Sequence, residues 1–124
     1  MSYLVLGLIL LTVTLSACAQ LALKVGVSKQ KMQHALELGI FDGIMAAALS
    51  PMILLGLTIY VLSVAMWLWV LSKVDLSVAY PFVGISFLVT MAFGSLLLNE
   101  SVTLSRIAGT VLIFAGCILV ARSA

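Results

Sequence analysis

The sequence predicts an all-α integral membrane protein with four transmembrane helices, functioning as a dimer. Three observations predict it. The 124-residue chain is 65% hydrophobic and 8% charged, with a mean hydropathy of +1.35. Soluble domains carry about 25% charged residues, so lipid must be the solvent. A helix crosses a bilayer with about 20 apolar residues, and the apolar runs fall into four segments near that length, about 3-24, 51-71, 76-98 and 103-121. If such a chain lines a path across the membrane, four short spans hardly enclose it, whereas two copies, or two related chains, do. The chain therefore reads as a single four-helix membrane domain, multi-pass, with no room for a soluble catalytic domain. An enzyme is not expected.

Charge and cysteine usage exclude other classes. The formal net charge is +2, and the cations are scattered among the connections, which is no nucleic-acid footprint. Cys18 and Cys117 both fall inside apolar runs, where a thiol behaves as a small hydrophobe. With one histidine in the chain there is no metal-ligand spacing. Neither a metal nor a cofactor is expected.

The first span, 3-24, carries Thr12, Ser16, Gln20 and Lys24 at intervals of four. That interval lines them up along one slowly drifting helix face. Ala17, Cys18, Ala19 and Ala22 keep other parts of the surface small, so a neighbouring helix can approach closely. Leu15-Ser16-Ala17-Cys18 resembles a lipoprotein cleavage box. A signal peptide opens on positive charge, however, and no Lys or Arg precedes Lys24. An uncleaved span is expected.

Residues 25-49 form the long connection. Val25 to Gln33 is polar and basic, and His34 to Leu49 mixes apolar residues with Glu37 and Asp42. Gly39 and Gly43 weaken it as one helix. It reads as a short helix lying in the membrane interface, or as an extension of the second span.

Ser50-Pro51 is a helix start, an N-cap serine before proline at the first helical position. The second span, 51-71, contains Tyr60, Ser63, Trp67 and Trp69. Its tryptophans suit the headgroup level near the span's end. Ser72 to Asp75 is a tight link, which makes spans two and three antiparallel neighbours. Pro81 removes a backbone donor and should bend the third span, with Gly84 beside it, so the two form a hinge candidate. The fourth span carries Gly109 and Gly116 seven residues apart. They share one face and form a candidate dimer seam. If the termini lie outside, Lys24, Lys29, Lys31 and Arg106 lie inside against Lys73 and Arg122. This weak positive-inside bias permits dual insertion.

Several stretches together resemble one family. They are Leu15-Ser16-Ala17 with Gln20 and Lys24, Trp67 through Leu71, LSVAYPF from Leu76 to Phe82, Asn99-Glu100-Ser101-Val102-Thr103, and Gly109 with Ala115-Gly116. In order and spacing they resemble the small multidrug resistance branch of the drug/metabolite transporter (EamA) superfamily. Within it they are most similar to the subunits of the undecaprenyl-phosphate-aminoarabinose flippase. The resemblance covers nearly the whole chain outside residues 25-49. Exporters of the small multidrug resistance type carry a titratable glutamate in the first span, at the position held here by Ser16. A serine cannot titrate, so proton-coupled export of cations by that route is in doubt.

The resemblance implies a flippase in a bacterial cytoplasmic (inner) membrane. It would move an undecaprenyl-phosphate-linked, aminoarabinose-like sugar, alone as a homodimer or with a related four-helix protein. Lys24 then holds the phosphate, or snorkels to the interface. Ser16 and Gln20 hydrogen-bond the sugar, or bond between helices. Tyr80 lines a central cavity at the Pro81 bend, with Tyr60 and Trp67 as further lining candidates. Glu100 pairs with a cation or headgroup, or caps the fourth span. Two alternatives stay open: an exporter of small or cationic compounds with altered coupling, and a non-transporting accessory subunit of a membrane glycosyltransferase.

Overall fold

The computed structural model describes residues 2-123. Among them are four helical segments long and apolar enough to cross a membrane: Tyr3–Val27, Pro51–Leu71, Leu76–Leu96 and Leu104–Arg122. The first is α1 (Tyr3–Val27) and the second is α4 (Pro51–Leu71). The third divides into α5 (Leu76–Ala79), a 3₁₀ turn (Tyr80–Val83) and α6 (Gly84–Leu96); the fourth is α7 (Leu104–Arg122). The connection 25-49 folds into two short helices, α2 (Gln30–Leu38) and α3 (Ile40–Leu49). Gly39 separates them at φ 143°, in the positive region that a side chain rarely tolerates.

The helix ends follow local chemistry. Ser2 Oγ accepts from the Val5 amide at 3.3 Å, and Ser50 Oγ accepts from the Ile53 amide at 3.4 Å with Pro51 following it. These hydroxyls satisfy amides that have no partner inside the helix. Thr103 opens α7 in the same way, accepting from the Arg106 amide at 3.2 Å. The 3₁₀ turn begins beside Pro81, where the missing N–H interrupts the α-helical ladder.

α1 is the hub. Its most extensive contact is with α4, and it also meets α6, the 3₁₀ turn and α2. Glycine makes the α1–α4 approach possible. A Cβ on Gly56 would lie 2.8 Å from Leu23 Cγ and 3.1 Å from the Ala19 carbonyl oxygen. The apolar core sits at the opposite end of the bundle, where Val5, Ile9 and Val13 pack with Val70, Ala79 and Phe82. α7 is peripheral and meets only α6 and the 3₁₀ turn extensively. A third of the apolar α1 window is buried (33%) against 6% for α7.

Candidate functional site

The polar stripe of α1 is shared between two cavities. Thr12 and Ser16 line the first, of about 190 Å³, with Tyr60, Ser63 and Trp67 from α4 and Tyr80 and Ser86 from the third span. Gln20 and Lys24 line the second, of about 220 Å³, with Thr90, Gly94 and Glu100. The α1 residues lining the second cavity lie eight positions beyond those lining the first, about 12 Å along the helix and about 80° around it, so the two cavities follow the drifting stripe, with Ser16 and Gln20 as their facing edges one turn apart. Ser16, Tyr60, Trp67 and Tyr80 therefore come together in one cavity, and Gln20, Lys24 and Glu100 in the other.

The mid-span cavity carries no charge. Thr12 and Ser63 are buried, and their hydroxyls donate to the Leu8 and Tyr60 carbonyls at 2.7 Å each. Ser86 donates to the Val83 carbonyl at 2.5 Å. These three are satisfied within their own segments, as buried polar groups require. Tyr80 is 62% exposed and Tyr60 40% exposed, so both phenols are accessible from outside the single chain.

The second cavity is charged and lies at the end of α1. Lys24 is in the last turn of that helix. Glu100 reaches the cavity through a specific reversal of the chain. Asn99 adopts φ 54°, a left-handed conformation that Asn tolerates better than most residues. The Glu100 amide then donates to the Gly94 carbonyl at 2.8 Å. The carboxylate folds back over α6 so closely that a Cβ on Gly94 would lie 2.5 Å from Glu100 Oε2. Glu100 does not cap the fourth span; Thr103 does.

Pro81, Gly84, Gly109 and Gly116 line neither of these two cavities. The Cys117 thiol donates to the Pro81 carbonyl at 2.7 Å, which ties α7 to the 3₁₀ turn. Gly84 packs under α7: a Cβ there would lie 2.6 Å from Ile113 Cγ2 and 2.9 Å from Cys117 Sγ. Around Gly109 and Gly116 an added Cβ meets nothing within 4 Å, so their face is open. At the far end of α4 the Lys73 ammonium sits 5.7 Å from the Trp69 ring centroid, within cation–π range. Among the described residues no group of His, Cys, Asp or Glu could hold a metal ion.

In the sequence, Gly94 reads only as a small position on the third span and Asn99 only as part of the family-like stretch, and Ser63 and Ser86 have no site. The asparagine before Glu100, just past an apolar run, is the available signal for a left-handed helix end.

The EamA-like transporter family model matches residues 2–122. The chain is 31% identical over 118 residues to a Pseudomonas aeruginosa (strain UCBPP-PA14) protein named "Probable 4-amino-4-deoxy-L-arabinose-phosphoundecaprenol flippase subunit ArnE", covering 95% of this chain and 97% of that protein. The correspondingly named subunit ArnF of Sodalis glossinidius is 34% identical over 119 residues, 92% of this chain and 88% of that protein. ArnF of Photorhabdus laumondii is 35% identical over 72 residues, 56% of this chain and 57% of that protein. No solved structure matches the chain. The chain belongs to the EamA-like transporter family, a family of transporters rather than enzymes.

Proposed function

From membership of the EamA-like transporter family, we propose that this chain is a flippase subunit. It moves a polyprenyl-phosphate-linked amino sugar across a bacterial cytoplasmic membrane. The observation that carries this reading is the division of the α1 stripe into a charged cavity and a neutral one. The substrate has a phosphate, an amine and sugar hydroxyls. Lys24 binds the phosphate at the headgroup level, and Glu100 on the facing wall accepts hydrogen bonds from the amine. Gln20 bonds the sugar and delivers it one turn along α1. There Ser16, Tyr60, Trp67 and Tyr80 offer hydroxyls, an indole N–H and aromatic faces to the sugar as it crosses. The lipid tail stays in the bilayer.

Cavity size supports a dimer. Ligand pockets usually enclose about 300–1,000 Å³, and the two cavities measure about 190 and 220 Å³. A second chain, identical or related, enlarges them. The open face at Gly109 and Gly116 supplies the seam, because small residues let two helices approach closely. In this reading the 3₁₀ turn at Pro81 is the hinge. Gly84 lets α7 pack against the bend, and the Cys117–Pro81 bond makes α7 move with it. Pro81→Ala restores a backbone donor, straightens the third span and impairs transport more than dimerisation. Equal loss of both in vesicle transport and cross-linking assays would make the proline merely structural.

The decisive experiment is transport in reconstituted vesicles. A lipid-linked amino sugar in the inner leaflet becomes reactive to a membrane-impermeant amine reagent when it is flipped. Flipping that depends on this chain, alone or with a related subunit, is the expected result. Export of quaternary cations with no lipid flipping would overturn the reading.

A further inference from the structure

The α2–α3 hairpin lies outside both cavities, and two spans fix its position. Gly26 packs so closely on α4 that a Cβ there would lie 2.5 Å from Ile53 Cγ1. The end of α1 and the start of α4 therefore lie at one level. Gln33 Nε2 donates to the Val27 carbonyl at 2.5 Å, which ties α2 to the end of α1. Only Ser50 separates α3 from α4. The foot of the hairpin is thus held where the spans leave the hydrocarbon.

The surface of the hairpin is divided. α3 buries only Gly43, which packs on Leu36. Its large apolar side chains point outward: Ile40 is 83% exposed, Phe41 74% and Leu49 75%. At the foot, Lys29 and Lys31 border a cavity of about 180 Å³ with Met32, Leu49 and Pro51. Standing upright, helices of nine and ten residues would carry Ile40 and Phe41 about 14 Å away from the spans. The headgroup layer is only about 5–8 Å thick on each side, so both side chains would stand in water.

We propose that the α2–α3 hairpin lies flat in the headgroup layer and is a docking surface for anionic phospholipid. The apolar side chains of α3 enter the acyl boundary, and Lys29 and Lys31 hold lipid phosphates beside the apolar floor of their cavity. Charge complementarity selects this occupant at the foot of the hairpin: its cavity is lined by Lys29 and Lys31 with no carboxylate, while the hairpin's two acids, Glu37 and Asp42, lie toward the Gly39 turn. Two ammonium groups meet apolar surface at the level where lipid phosphates lie, and an apolar protein face would leave both without anions. The proposal is independent of what the two α1 cavities transport.

Two measurements on the full-length protein test it. The first equilibrates the protein with an equal mixture of phosphatidylcholine and phosphatidylglycerol and determines the retained lipids by mass spectrometry. Phosphatidylglycerol is enriched, and the double variant Lys29→Gln/Lys31→Gln lowers the enrichment roughly tenfold. Lys73→Gln, at the other end of the bundle, leaves it unchanged. Equal enrichment with and without the two lysines overturns the proposal. The second places a fluorophore with Phe41→Trp in a chain carrying Trp67→Phe and Trp69→Phe. Lipids brominated near the headgroup quench its emission. Quenching by aqueous acrylamide alone overturns the proposal, because the hairpin then projects into water. Shielding from both quenchers also overturns it, because a second protein chain then covers α3.

Discussion

The two cavities on α1 are nearly equal in volume, about 190 and 220 Å³, and opposite in chemistry. The one at the end of the helix is bordered by Lys24 and Glu100, whereas the mid-span one has hydroxyls and aromatics without a charge. Depth explains the difference. A charged side chain at the bilayer centre costs at least about 2.5–3.5 kcal/mol, whereas a lysine near a helix end extends to the interface at little cost. Charge is therefore tolerated only near the level of the lipid headgroups. In the proposed transport the neutral cavity takes the part of the substrate that must cross. In the proposed transport, recognition and passage are separate tasks one helical turn apart.

Three variants would break or sharpen that separation. Lys24→Gln should have the largest effect. It removes the one cation of the charged cavity, and hydrogen bonds to charged groups contribute about 1.5–3 kcal/mol. Flipping should fall roughly 10- to 100-fold, with normal dimer formation by cross-linking. Unchanged flipping would leave that cavity without a role in recognition.

Gly94→Ala should come next. The new Cβ would lie 2.5 Å from Glu100 Oε2 and displaces the carboxylate. Flipping of the amino-sugar lipid should fall to the level of Glu100→Gln, a loss of roughly tenfold. A lipid-linked sugar without the amine should lose far less. Equal loss for both lipids would mean that Glu100 does not read the amine.

Tyr80→Phe should be the mildest. It deletes one neutral hydrogen bond, about 0.5–1.5 kcal/mol, and keeps the ring. A loss of roughly two- to tenfold in flipping rate, with unchanged retention of substrate in co-purification, would place Tyr80 in passage. A loss confined to retention would place it in recognition and merge the two cavities into one site.

Much of this was legible in the chain because it is local. The cap at Ser50-Pro51 needs only neighbouring residues, and the structure places the Ser50 hydroxyl on the Ile53 amide. The four-residue spacing from Thr12 to Lys24 puts each group about 40° around from the last, one slowly turning stripe in any α-helix. Other features are not local. Glu100 could be read as a cap for α7 because acidic residues favour helix N-termini. Its actual place depends on the left-handed Asn99 and on the bare backbone of Gly94. Residues 25-49 divide into two helices at Gly39, a break that composition alone permits without requiring.

Sequence by itself determined the solvent, the four spans and the polar stripe of α1. Hydrophobicity and helical periodicity are properties of each segment alone. Tertiary structure decided that the stripe is divided, with α4 and the Pro81 turn enclosing its middle and α6 with Glu100 enclosing its end. It also decided that α1 is the hub and α7 the open flank. All four spans are apolar around most of their circumference. In lipid, hydrophobicity does not tell one helix face from another. The choice falls to close approach, at Gly56 against α1 and Gly84 against α7, and such fits exist only once the helices are packed.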